Sequence, residues 1–169
     1  MEKDLNLHSQ EPHDHHGVYE GERKDWKRHG YGVITYLNGT KYEGYWKEGL
    51  IHGQGTFSWA NGEKYIGQWE NDEMNGYGIY TWPDGESYVG YWKDSVKCGM
   101  GVYTWDNGDK YSGNWLDDEQ NGYGILECSD GAKYIGQWKN NLRHGQGIYI
   151  NQQGETYIGE FIDGVKKGI

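Results

Sequence analysis

The chain has 169 residues and a net charge of −10 at pH 7, a balance that disfavours nucleic acid and anionic membranes as partners. Leu, Ile, Val and Phe make up under a fifth of it, which at this charge would ordinarily indicate disorder. The 9 Trp and 16 Tyr replace the missing aliphatic area, each able to bury ~150–250 Å², so the fold is expected to rest on aromatics.

Residues 1–17 are polar, hold His8, His13, His15 and His16, and carry no β-pattern; they read as a flexible N-terminal arm. His13-Asp14-His15-His16 has no second ligand cluster to close a metal site, so neither a metal nor another cofactor is expected. The start of the chain lacks a signal-like apolar core, and no apolar run approaches the ~18 residues of a membrane span. Cys98 and Cys128 sit at unrelated positions and read as free thiols, which points to the cytoplasm.

From Val18 onward the chain is periodic, so 18–169 reads as one array. A tyrosine recurs every 23 residues, at Tyr19, Tyr42, Tyr65, Tyr88, Tyr111, Tyr134 and Tyr157, giving six complete repeats and a partial seventh. Within a repeat, residues alternate with period two: Tyr42, Gly44 and Trp46 share one face, Glu43 and Tyr45 the other. Gly53, Gly55, Phe57 and Trp59 follow on a second strand. Asn38-Gly39, Asn61-Gly62, Asp84-Gly85, Asn107-Gly108 and Asp130-Gly131 then signal short hairpins, with Gln153-Gly154 a weaker version. No stretch has a 3.6-residue period. The expected fold is all-β: a single elongated antiparallel β-meander sheet of consecutive 23-residue hairpins, twisted and curved into a trough.

The phased pattern Tyr-x-Gly-x-Trp-x-x-Gly-x-x-x-Gly-x-Gly resembles the MORN repeat (membrane occupation and recognition nexus). The second copy, with Tyr42, Gly44, Trp46, Gly49, Gly53 and Gly55, matches at every fixed position, and the resemblance covers residues 19–168. Departures are local. Arg23 and Phe161 replace the tryptophan, and Trp26, Asp72, Ser95, Asp118 and Asn141 replace the first turn glycine; all of these but Trp26 are small polar residues suited to a turn. The first copy, from His16-Gly17-Val18-Tyr19 to Gly30-Tyr31-Gly32, also resembles the opening repeat of MORN-containing radial spoke head subunits of cilia. That resemblance implies a scaffold in a cilium or flagellum, as part of the axoneme or other cytoskeleton; the family at large implies lipid-associated tethers and regulatory modules as alternatives.

Tyr42, Trp46, Tyr65, Trp69, Tyr88, Trp92, Tyr111, Trp115, Tyr134 and Trp138 are the expected repeat core, since nothing else can bury enough area. Trp59, Trp82 and Trp105, with Tyr80 and Tyr103, are the candidate wall of an open groove, and Trp82→Ala is expected mainly to weaken partner binding. The groove would take an extended or helical segment of a protein partner, with the acidic repeats, Glu70 to Glu86 and Asp117 to Glu119, favouring a basic one. Sheet ends leave a homodimer open as a further association. Every Gly-x-Gly belongs to the repeat phase, and no catalytic constellation stands apart from it, so the expected function is a non-catalytic protein–protein interaction scaffold.

Overall fold

A computed structural model describes residues 17–168; residues 1–16 of the expected N-terminal arm, with its histidines, lie outside the described residues, and Gly17, counted in that arm, instead opens the first strand by pairing with Tyr36. Fourteen strands form one sheet in strict chain order, every neighbouring pair antiparallel. They are β1 (Gly17–Lys24), β2 (Lys27–Tyr36), β3 (Lys41–Lys47), β4 (Leu50–Ser58), β5 (Lys64–Glu70), β6 (Glu73–Thr81) and β7 (Ser87–Lys93). The rest are β8 (Val96–Thr104), β9 (Lys110–Leu116), β10 (Glu119–Glu127), β11 (Lys133–Lys139), β12 (Leu142–Ile150), β13 (Thr156–Ile162) and β14 (Val165–Lys166). The meander is open: β1 and β14 are its two edges, and the second is only two residues long.

Two kinds of connection alternate. Between β3 and β4 the two turn residues, Glu48 and Gly49, both have positive φ (52° and 96°), the signature of a type I′ turn, whose twist matches that of the strands it joins. Asn71-Asp72, Asp94-Ser95, Asp117-Asp118 and Asn140-Asn141 repeat it with non-glycine residues in the left-handed region, which Asn and Asp tolerate best. At the other end of the strands, Asn61-Gly62 does join β4 to β5, but only Gly62 has positive φ (92°) there. Its N–H bonds the Trp59 carbonyl at 3.0 Å, while Asn61 Oδ1 accepts from Glu63 N–H at 3.0 Å, so asparagine acts through its side chain rather than through a left-handed backbone.

The polar residues that stand in place of the repeat's turn glycine have a further role. Asp72 N–H donates to the Ile51 carbonyl (3.0 Å), and Asp72 Oδ1 accepts from Ile51 N–H (2.7 Å), clamping each hairpin to the one before. Ser95 on Met74, Asp118 on Lys97 and Asn141 on Gln120 make the same two-point clamp. Gly49 and Gly164 keep only the backbone half of it, to Arg28 and Arg143. Asp72→Gly preserves the turn conformation but leaves the part-buried Ile51 N–H without its acceptor. It is expected to cost about 1–2 kcal/mol, read as a lowered denaturation midpoint with an unchanged m-value.

Each even strand from β2 to β12 bends at one glycine. Opposite β3, Gly44 pairs with Gly55 and Trp46 with Ile51, so the stretch around Gly53 bulges, with φ 71°. Gly76, Gly99, Gly122 and Gly145 take the same conformation one repeat apart.

Candidate interaction surface

One face of the sheet is aromatic. Tyr42 lies flat across the paired glycines Gly44 and Gly55; a Cβ on Gly55 would meet its hydroxyl oxygen at 2.1 Å. The tyrosine spans the bare backbone and donates from its hydroxyl to the Tyr45 carbonyl at 3.0 Å. Its ring stands edge-on to Trp46 (5.1 Å, 89°) and to Trp69 of the next repeat (5.8 Å, 85°), so each tyrosine joins two repeats. The motif recurs at Tyr65, Tyr88, Tyr111 and Tyr134, the last closing on Phe161 at 5.0 Å. The Nε1–H groups of Trp46, Trp69, Trp115 and Trp138 reach the carbonyls of Gly32, Gly55, Gly101 and Gly124, each at 3.3 Å. All ten tyrosines and tryptophans of the expected core are buried.

A cationic position fills gaps in this row, which the sequence pattern did not suggest. Where copy one lacks its tryptophan, Arg23 sits over Tyr19 at 4.8 Å and Arg28 over Trp46 at 4.9 Å. At the repeat position of Arg28, three and five repeats on, Lys97 packs its ammonium over Tyr88, Tyr103 and Trp115 (5.8, 5.2 and 5.0 Å), and Arg143 lies over Tyr134 and Tyr149. Ile51, Met74 and Gln120 occupy the equivalent place in other repeats, paired with Trp46, Trp69 and Trp115.

The five candidate groove residues form a second tier above this core. Trp59, Tyr80, Trp82, Tyr103 and Trp105 stack in sequence with ring centroids 4.6–5.4 Å apart. They do not stand as an open wall. Tyr80, Trp82 and Tyr103 are 1%, 6% and 8% exposed; only Trp59 and Trp105, at the ends of the stack, remain half-buried. The cause is geometric: strands ~4.8 Å apart carry rings wider than that spacing, so successive rings overlap and shield each other. Trp82 is therefore a core residue, and its replacement by alanine is expected to act on stability rather than on binding alone.

The stack ends past Trp105, where Leu126 and Cys128 replace larger rings. An open groove of about 490 Å³ lies there, lined by Trp105, Gln120, Leu126, Trp138, Leu142 and Arg143, with Asp106 and Asp109 on its border. Asp109 Oδ1 accepts from Ser129 N–H at 2.8 Å, a bond that holds its carboxyl below the usual carboxylate range. Further along the same border, Tyr80 donates to Glu63 (2.6 Å) and Tyr103 to Glu86. Burial is the main reason that both phenols are pushed well above their ordinary pKa. Among the described residues no cluster of His, Cys, Asp and Glu has the geometry of a metal site.

A single-layer repeat sheet with a ring-packed face and an acidic-bordered groove defines a β-repeat array. The MORN repeat profile matches residues 19–41, 42–64, 65–87, 88–110, 111–133 and 134–156, and the chain belongs to the MORN-repeat family. Comparison with curated protein sequences gives no match. Among solved structures, the chain is similar to the TCP domain of SAS-4 (dCPAP) of Drosophila melanogaster in complex with a proline-rich motif of Ana2 (dSTIL). The identity is 13%, over 78% of this chain and 72% of that one, with a TM-score of 0.49. A mutant of the TCP10 domain of CPAP from Danio rerio aligns at 15% identity over 76% and 71% of the two chains, with a TM-score of 0.31.

Proposed function

We propose that the chain is a non-catalytic interaction scaffold that holds a segment of a partner protein in the groove beyond Trp105. The observation that carries this reading is the break in the aromatic stack. Between Trp59 and Trp105 the rings of Tyr80, Trp82 and Tyr103 are closed over one another, and past Trp105 an aromatic edge, an aliphatic side chain and a guanidinium face one open groove. A half-buried tryptophan beside a groove of mixed apolar and polar lining is the usual anchor of a binding hot spot. The carboxylates of Asp106 and Asp109 on the border favour a segment that brings a basic residue beside its apolar anchor. An axonemal setting rests on the resemblance of the first repeat to radial spoke head subunits, and the cytoplasm is the compartment proposed. No helix among the described residues is long and apolar enough to cross a membrane.

The test compares proteins captured from the source lysate by the intact chain and by two variants. Trp105→Ala is expected to keep the strand signature and lose the captured protein. Trp82→Ala is expected to cost roughly 3–5 kcal/mol of stability, as loss of a buried indole does. Equal capture by Trp105→Ala and the parent chain would remove the groove from the account.

A further inference from the structure

The face opposite the aromatic one carries a largely apolar ladder, interrupted at Ser112 and ending at Thr56. Cross-strand registers place Thr56, Ile66, Ile79, Val89, Val102, Ser112, Ile125, Ile135, Ile148 and Ile158 side by side in one row from β4 to β13. Ile66, Ile79 and Ile158 are 44%, 38% and 73% exposed, and no element of the described chain covers the row. A shallow groove of about 460 Å³ runs along it, between Met100 and Tyr123 on one side and Ile125, Ile135, Ile148 and Ile158. Toward the N-terminus the same row turns acidic: Glu43 pairs with Thr56 and Val33, and Glu20 with Val33. An apolar row of this length on a solvent face is the mark of an interface.

We propose that this face is the interface of a homodimer in which a second copy packs its own ladder against it. The two sheets lie face to face with their arrays antiparallel, and the twofold axis runs along the strand direction between β8 and β9. This does not depend on the groove beyond Trp105, which lies on the other face. Charge selects this arrangement. With the arrays parallel, each row would meet itself, setting Glu43 on Glu43 and Glu20 on Glu20. With the arrays antiparallel about β8/β9, Val102 meets Ser112, Val89 meets Ile125, Ile79 meets Ile135 and Ile66 meets Ile148. Glu43 then falls opposite the two-residue strand β14, and Glu20 lies past β14, the last strand of the described sheet.

The same register sets opposite charges together. Lys93, on the ladder face at the end of β7, falls opposite Glu119 of the second copy's β10, and Glu73 falls opposite Lys139; symmetry makes each pair twice. Lys64, Lys110 and Lys133, which flank the row, fall opposite Ile150, Thr104 and Thr81, so no like charges meet among them. The overlap from β4 to β13 is about 43 Å long at the ~4.8 Å strand spacing. Three side-chain columns wide, it would bury roughly 1,300 Å² in total, within the range of stable protein interfaces.

Sedimentation equilibrium of the full chain tests this. A dimer is expected at micromolar concentrations, and Ile125→Glu, a change on the exposed face, is expected to give a monomer with unchanged circular dichroism. Lys93→Glu or Glu119→Lys alone should weaken the dimer about tenfold or more, and the two together should restore it. A chain that stays monomeric up to about 100 μM, a dimer indifferent to Ile125→Glu, or a double reversal that fails to restore association would each overturn the proposal.

Discussion

Gly55→Val is expected to unfold the middle of the array, with a loss of roughly 3 kcal/mol or more, beyond the usual range for an overpacked core. Gly55 has no space for a side chain: an added Cβ would sit 2.1 Å from the Tyr42 hydroxyl oxygen and 2.5 Å from its ring. The ring cannot move aside, because Trp46 and Trp69 hold it edge-on from both sides and its hydroxyl is bonded to the Tyr45 carbonyl. Expelling it would expose a fully buried tyrosine and open the junction between two repeats. Because each repeat leans only on its neighbours, loss at one junction is expected to appear first as local opening of β3 to β5. Hydrogen exchange resolves that opening, and a thermal melt reports its cost. Gly85→Ala is the matched control: nothing lies within 4 Å of its added Cβ, and only the positive φ of 93° opposes it, at about 1 kcal/mol. Similar melts for the two variants would show that the tyrosine–glycine contact is not what joins the repeats.

Alkaline pH is expected to unfold the array cooperatively, because its core is phenolic. Burial pushes the pKa of Tyr42, Tyr65, Tyr80, Tyr88, Tyr103 and Tyr111 well above 10. For Tyr80 and Tyr103, the bonds to Glu63 and Glu86 push further in the same direction, since each carboxylate needs the phenol proton. The neutral phenol is the form the folded chain holds, so this stabilisation is complete below pH ~10 and is lost as pH rises from there toward the folded-state values. Each tyrosine forfeits about 1.4 kcal/mol per pH unit in that window. Together the six lose up to roughly 8 kcal/mol at pH 11, comparable to the whole stability of an ordinary domain. The measurement is a pH titration following tyrosinate absorbance and circular dichroism together. Coincident, steep transitions above pH 10 are expected; gradual ionisation near pH 10 with the strands intact would contradict the sealed phenolic core.

Much of this is legible in the sequence alone, and the reasons are physical. The 23-residue spacing of tyrosine, with glycines in phase, requires a stacked sheet, and period-two alternation assigns Tyr42, Gly44 and Trp46 to one face. What escaped the sequence depends on distance across strands. Trp82 looks like a rim residue in its own repeat; its burial comes from Tyr80 and from Tyr103, which belongs to the next one. Lys97 stands in a strand whose bulge at Gly99 shifts the register, so its place among three aromatic rings was not visible in the alternation. The turn residues divide likewise. Asn61-Gly62 marks a short hairpin in the sequence, but the turn that is left-handed at both positions is Asn71-Asp72, where a neighbouring repeat supplies the Ile51 N–H for the aspartate to hold. The ladder of Ile66, Ile79 and Val89 becomes a row only once register is known, because those residues are separated in sequence by turns and bulges.

Indole hydrogen exchange in the free chain, read residue by residue from the Nε1–H resonances, tests the central claim most directly: the tryptophans beside the repeat tyrosines are sealed along the array, and the ring stack above them opens at its two ends, Trp59 and Trp105. The Nε1–H groups of Trp46, Trp69, Trp115 and Trp138 are bonded to glycine carbonyls beneath the rings and are expected to exchange only with opening of their repeats. Trp26, which is 92% exposed, and the half-buried Trp59 and Trp105 are expected to exchange at rates close to those of a free indole. If Trp69 and Trp115 exchanged as fast as Trp105, the aromatic face would be an open trough throughout, and the groove beyond Trp105 would lose its distinction.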